Sequence, residues 1–126
     1  MKTAHDLVLE AKQHITEINT DEAEVEIKNA DIVIDIREPE EFHQGHIHGA
    51  VNIPRGILEF RLSSVPEFEN REMGIVLYCK TNGRGALAAK SLKEMGYIQV
   101  KTIAGGMDAW AAADKPIAVP SKLDFD

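Results

Sequence analysis

Three short apolar runs, Ile32 to Ile36, Ile75 to Tyr78 and Val100 to Ile103, constrain this chain more than any other feature. Each is rich in β-branched or aromatic residues, so each reads as a strand covered on both faces. Between the second and third, Gly85 to Met95 places Ala88, Leu92 and Met95 on one helical face and closes at Gly96 in the C-cap position. Strand, helix and strand make a βαβ unit, whose strands run parallel. Val51 to Ile53 is a further strand candidate, and helices are expected at Pro39 to His43, Gly56 to Leu62 and Met107 to Ala113. The alternation predicts an α/β fold with a central, mainly parallel sheet and helices on both faces, three layers in all.

At the N-terminus, Leu7, Val8, Ala11, Ile15 and Ile18 fall at helical spacing behind Thr3, a good N-cap with Asp6 three residues on. The pattern predicts a helical extension over residues 1–19, a shorter helix starting after Thr20, a main domain over residues 20–120 and a loose tail over 121–126. No repeat, low-complexity tract or long linker divides the chain, and 126 residues suit one domain. With 44% apolar and 28% charged residues, neither a disordered nor a fibrous chain is expected. No stretch approaches the ~18 consecutive apolar residues of a membrane span. Asp6 and Glu10 come too early for a secretory signal, so a cytoplasmic protein with no membrane partner is expected.

The net charge of −7 argues against a nucleic-acid partner, but its distribution is uneven. Residues 1–45 carry twelve acidic and four basic side chains. In residues 71–101, Arg71, Lys80, Arg84, Lys90, Lys93 and Lys101 face only Glu72 and Glu94. Six bases around one cysteine read either as a site for a small anion or as scattered, solvated surface.

That cysteine, Cys79, is the only one, so the chain has no partner for an internal disulfide. It ends the strand Ile75-Val76-Leu77-Tyr78 and is followed by Lys80-Thr81-Asn82-Gly83-Arg84 and a helix. Ligands in open α/β sheets bind at this end of the strands. A loop entering a helix can turn N–H groups inward as an anion cradle, and a thiol beside such groups ionises more readily to its nucleophilic form. A buried structural cysteine fits the local pattern too.

The first apolar run ends in Asp35-Ile36-Arg37, and alternation puts Asp35 and Arg37 on one side of the strand. Asp35 is a candidate to accept loop N–H bonds and Arg37 to pair with Glu41; a solvated charge cluster is the alternative. His43, His46 and His48 lie close in sequence, yet no cysteine or carboxylate completes a recognised ligand spacing, and no metal site is expected. Gly105-Gly106 reads as a tight turn into a helix on which Trp110 is a packing anchor, with no catalytic role.

Four of these segments in this order resemble the rhodanese-like domain family of small α/β sulfurtransferases. They are Asp35-Ile-Arg37-Glu38-Pro39-Glu40-Glu41-Phe42, Gly45-His46-Ile47-His48-Gly49-Ala50-Val51-Asn52-Ile53-Pro54, Tyr78-Cys79 through Arg84, and Gly105-Gly106 through Trp110. The resemblance spans roughly Thr20 to Ile117. It implies that Cys79 attacks the outer sulfur of thiosulfate or a related anionic donor, holds it as a persulfide and passes it to a thiophilic acceptor, small or protein. It also implies a substrate cradle over Lys80, Thr81, Asn82, Gly83 and Arg84, with Arg84 fixing the loop or the donor, and neither metal nor organic cofactor. Asp35 and Arg37 are the expected loop support. Asn82 and Gly85 depart from the pattern, since many relatives carry glycine and serine there. A non-catalytic binding module is the second reading. A phosphatase or arsenate reductase is the third, and such relatives have one more residue between cysteine and arginine.

Overall fold

The computed structural model describes residues 1–120, so the expected loose tail at 121–126 lies outside the described residues. The apolar runs become β2 (Ile32–Asp35), β5 (Gly74–Tyr78) and β6 (Gln99–Ile103). With β1 (Thr16–Ile18) and β4 (Val51–Asn52) they form a five-stranded sheet in the order β1-β6-β5-β2-β4, parallel at every pairing. The helices are α1 (Ala4–Lys12), α2 (Thr20–Asn29), α3 (Pro39–Gln44), α4 (Leu58–Ser64), α5 (Gly83–Glu94) and α6 (Gly106–Ala112). Two-residue strands β3 (His46–Ile47) and β7 (Ile117–Ala118) make a small antiparallel sheet at the side.

Alternation along β5 sends its side chains into two cores. Ile75 and Leu77 join Ile34, Leu58, Leu62, Ala88 and Leu92 under α4 and α5. Val76 and Tyr78 join Val33, Ala23, Met107 and Trp110 under α2 and α6. Burial on both faces explains the apolar runs of β2 and β5, whereas β6 is buried only toward its C-terminal end and leaves Gln99 exposed and Lys101 half-exposed; the expected three-layer α/β architecture is the observed one.

The N-terminal segment is not the continuous helical extension expected over residues 1–19. Thr3 caps α1 as expected, its hydroxyl accepting the Asp6 N–H while Asp6 returns the bond to the Thr3 N–H. The helix stops at Lys12, however, and Thr16–Ile18 is an edge strand on β6 rather than a continuation of the helix. Pairing with β6 satisfies the backbone there, and Ile18 is buried from a strand instead of a helix face. Asn19, capping α2 through Glu22, then restarts helical structure.

From β2 the chain moves outward to β4, and from β5 it moves the opposite way to β6. The neighbouring C-terminal ends of β2 and β5 therefore form a topological switch point, where the loops diverge and leave a crevice. Asp35 closes β2, and Cys79 follows β5.

Candidate active site

Cys79 is buried, with its sulfur turned toward the start of α5. Sγ accepts the backbone N–H of Asn82 at 3.0 Å and that of Gly85 at 3.3 Å. Asn82 occupies the N-cap position of α5 without capping it by its own side chain, so the cysteine sulfur serves as acceptor for the first turn. Two N–H donors and the positive end of a twelve-residue helix thus converge on one sulfur atom, an arrangement complementary to negative charge on it.

The loop is fixed from the far side by α6. The N–H groups of Met107 and Asp108 donate to the carbonyls of Cys79 and Lys80 at 2.8 and 3.0 Å. Gly106 makes this approach possible: its φ is +57°, and a Cβ there would lie 2.5 Å from the Cys79 carbonyl oxygen. The Gly105-Gly106 turn therefore shapes the cysteine loop, which its reading as a simple turn missed. Trp110 is buried as expected and donates from Nε1 to the Pro116 carbonyl.

Asp35 and Arg37 share one side, as alternation requires, but their partners differ from expectation. Asp35 accepts the Arg37 backbone N–H and, through both oxygens, its guanidinium, the closest contact being 2.7 Å. Arg37 does not pair with Glu41, and Asp35 takes its N–H bonds from its own strand end rather than from the cysteine loop. In an extended chain residues two apart meet directly, and the remaining guanidinium donor reaches the Gly45 carbonyl at 2.7 Å. Burial opposes the charge of Arg37, but the bonded carboxylate outweighs it and holds the guanidinium pKa above its ordinary value. Asn52, which sequence reasoning passed over, donates to the Asp35 and Arg37 carbonyls and locks this corner. Tyr78 lies beneath the Arg37 guanidinium and accepts the Ile47 N–H; burial pushes its hydroxyl pKa far up, so it stays neutral.

Glu41 pairs instead with Arg84, in a two-pronged contact at 2.9 and 3.1 Å. Its Oε1 also accepts the Glu38 N–H. The Arg84 guanidinium holds the Glu41 carboxyl down at about 2, and the carboxylate in turn raises the arginine pKa. Lys80, exposed, pairs with Asp108, and Thr81 is exposed at the loop crown.

The six bases of residues 71–101 do not form a common cradle. Lys90 pairs with Glu94 and Lys101 with Glu26, Lys93 binds the His14 carbonyl, and Arg71 braces Phe68, Met95 and Tyr97. Only Lys80 and Arg84 border the cysteine loop. His46 stacks on Phe42 at 3.8 Å, and its Nδ1 meets the Phe42 carbonyl. Among the described residues no three His, Cys, Asp or Glu side chains gather as a metal site. No helix among them is long and apolar enough to cross a membrane.

A parallel sheet whose switch point presents one cysteine to converging loop N–H groups defines a small α/β domain organised around a sulfur atom. Residues 19–113 match the family model described as Rhodanese-like domain, and the chain belongs to that family. It is 34% identical over 89 residues to a sulfurtransferase of Allochromatium vinosum, covering 71% of this chain and 79% of that protein. It is also 34% identical over 87 residues to the thiosulfate sulfurtransferase PspE of Escherichia coli (strain K12), covering 69% and 74%. Among solved structures, a Rhodopseudomonas palustris CGA009 protein of unknown function, a possible tyrosine phosphatase, superposes with a TM-score of 0.85 at 32% identity, covering 94% of this chain and 96% of that one.

Proposed function

We propose that this protein is a sulfurtransferase that carries sulfane sulfur on Cys79. The observation behind this reading is the pair of N–H bonds from Asn82 and Gly85 to Sγ at the start of α5. The Cys79 thiolate attacks the outer sulfur of thiosulfate or a related anionic donor, the S–S bond of the donor breaks, and sulfite leaves with the bonding pair. The Cys79 persulfide remains in the loop. A thiophilic acceptor, whether cyanide, a thiol or a partner protein, then takes the outer sulfur, and the thiolate is regenerated. Donors already aimed at the sulfur need no reorganisation as charge returns to it. The kinship with a sulfurtransferase and a thiosulfate sulfurtransferase supports the same assignment.

In this reading Lys80, Thr81, Asn82, Gly83 and Arg84 form the donor's binding rim, while Asp35 and Arg37 stiffen the neighbouring strand end. Arg84 brings a positive charge to the end of the cysteine loop, and Glu41 offsets it. Replacing Arg84 by alanine is expected to raise KM for thiosulfate, and Glu41→Gln to lower it. Each change should be about two- to fivefold, the order of effect expected of one nearby unit charge in a partly aqueous medium. Steady-state kinetics with thiosulfate and cyanide measure both. Equal changes of the same sign would make the ion pair a brace with no influence on the donor. Because Glu41 is held at about 2, this balance should not vary above about pH 4.

Phosphatase chemistry is the alternative that one comparison favours, through the structural relative described as a possible tyrosine phosphatase. Phosphoryl transfer needs donors matched to several equatorial oxygens. The loop directs two N–H groups at Sγ and has four residues between Cys79 and Arg84, which suits one sulfur atom better than a tetrahedral group. The test compares kcat/KM for thiosulfate:cyanide transfer with that for an aryl phosphate. Sulfur transfer should dominate; Cys79-dependent phosphatase turnover exceeding it would reverse the assignment.

A further inference from the structure

Asn82 has a φ of +96°, a left-handed conformation that side-chain-bearing residues rarely hold without support. Its side chain is buried, and Nδ2 donates to Glu17 Oε2 at 2.6 Å and to Thr102 Oγ1 at 3.1 Å. Its Oδ1 is the buried side-chain oxygen or nitrogen that lacks a hydrogen-bond partner among the described residues. A Cβ on Gly85 would lie 2.3 Å from that oxygen and 3.6 Å from Cys79 Sγ. A side chain at residue 85 would therefore force the Asn82 amide out of its present position. The backbone N–H groups of these same two residues hold the sulfur.

The carboxylate holding Asn82 comes from β1, ahead of residue 19 where the family match starts. Glu17 is partly exposed, with Lys12 Nζ 3.7 Å from the oxygen that accepts Asn82. We propose that Glu17 is a positioning residue for the cysteine loop: through Asn82 it keeps the left-handed turn, and so keeps the Asn82 and Gly85 N–H groups on the sulfur. The N-terminal segment is thereby part of the sulfur site. This rests on the reading of Cys79 as the sulfur carrier, but its structural half can be measured without any sulfur transfer.

The experiment is a double-mutant cycle in the full chain, with Glu17→Ala, Glu17→Gln, Asn82→Gly and the combination of Glu17→Ala with Asn82→Gly. Amide hydrogen exchange at residues 82 and 85 and the rate of persulfide loading from thiosulfate are read for each. Glu17→Ala should speed exchange at both amides about tenfold and slow loading by a similar factor, as loss of one bond to a charged acceptor implies. Glu17→Gln keeps an acceptor and should retain most of both properties. On the Asn82→Gly background, where glycine takes the turn freely and Glu17 has no amide to hold, Glu17→Ala should change neither. Equal losses on both backgrounds would overturn the proposal, as would faster exchange spread evenly along β6, since either makes Glu17 a general stabiliser of the edge strand. If the exchange cycle behaves as expected but the wild-type protein loads no sulfur, the positioning role stands and the sulfurtransferase reading fails.

Discussion

Cys79→Ser is expected to abolish persulfide formation and thiosulfate:cyanide transfer, a loss of more than about a thousandfold, while the fold survives. A hydroxyl can accept the same two N–H bonds that the sulfur accepts, so the loop keeps its shape. It is a far weaker nucleophile toward sulfur than a thiolate, and removing the nucleophile of an enzyme leaves only the small contribution of binding and preorganised donors. The chain has one cysteine, so no second thiol can substitute. Circular dichroism matching the wild type, together with undetectable turnover, is the expected pair of results. Turnover near wild type would remove Cys79 from the mechanism.

The second large effect is on stability. Asp35 is fully buried and Arg37 is 6% exposed, so each charge is tolerated only because the other is present. Arg37→Met should cost about 3–5 kcal/mol, because it leaves a carboxylate in the interior with no counter-charge. The Arg37 bond to the Gly45 carbonyl goes with it. Adding Asp35→Asn should recover much of the loss by removing the stranded charge, even though the ion pair is gone. Urea denaturation of the wild type and the two variants measures this. A loss below about 1 kcal/mol for Arg37→Met would mean that water reaches Asp35 and that the corner is looser than its geometry implies.

The layers of the fold were legible because burial on both faces leaves an unmistakable pattern: β2 and β5 have nowhere to place a polar side chain before Asp35 and Cys79. Helix starts were legible at Thr3, where cap and third residue bond reciprocally within a few positions. Strand β1 was not, since three residues carry no period of their own and Ile15 and Ile18 happen to continue the spacing of α1. Strands β3 and β7 were hidden for a similar reason, two residues each, paired across a long stretch of chain.

The site divided along the same line. Cys79 and its loop could be found because the strand, loop and helix that place them are contiguous. Partners distant in sequence could not: Arg84 takes Glu41 from α3, and Glu17 reaches Asn82 from the edge strand. Summing charge along residues 71–101 suggested a basic cradle, but a sum along the chain ignores acids brought in from elsewhere, such as Asp108 and Glu26. Asn82 and Gly85, noted as departures from the family pattern, become intelligible together in three dimensions, since the asparagine oxygen fills the space that any side chain at residue 85 would need.

The central claim, that Cys79 carries sulfur, is tested most directly by intact-mass spectrometry of the wild-type protein after incubation with thiosulfate and removal of the excess. The account predicts a gain of one sulfur atom, located on Cys79 by fragmentation and discharged by cyanide with release of thiocyanate. An unchanged mass under conditions that load a known thiosulfate sulfurtransferase, or an adduct that cyanide does not remove, would contradict it.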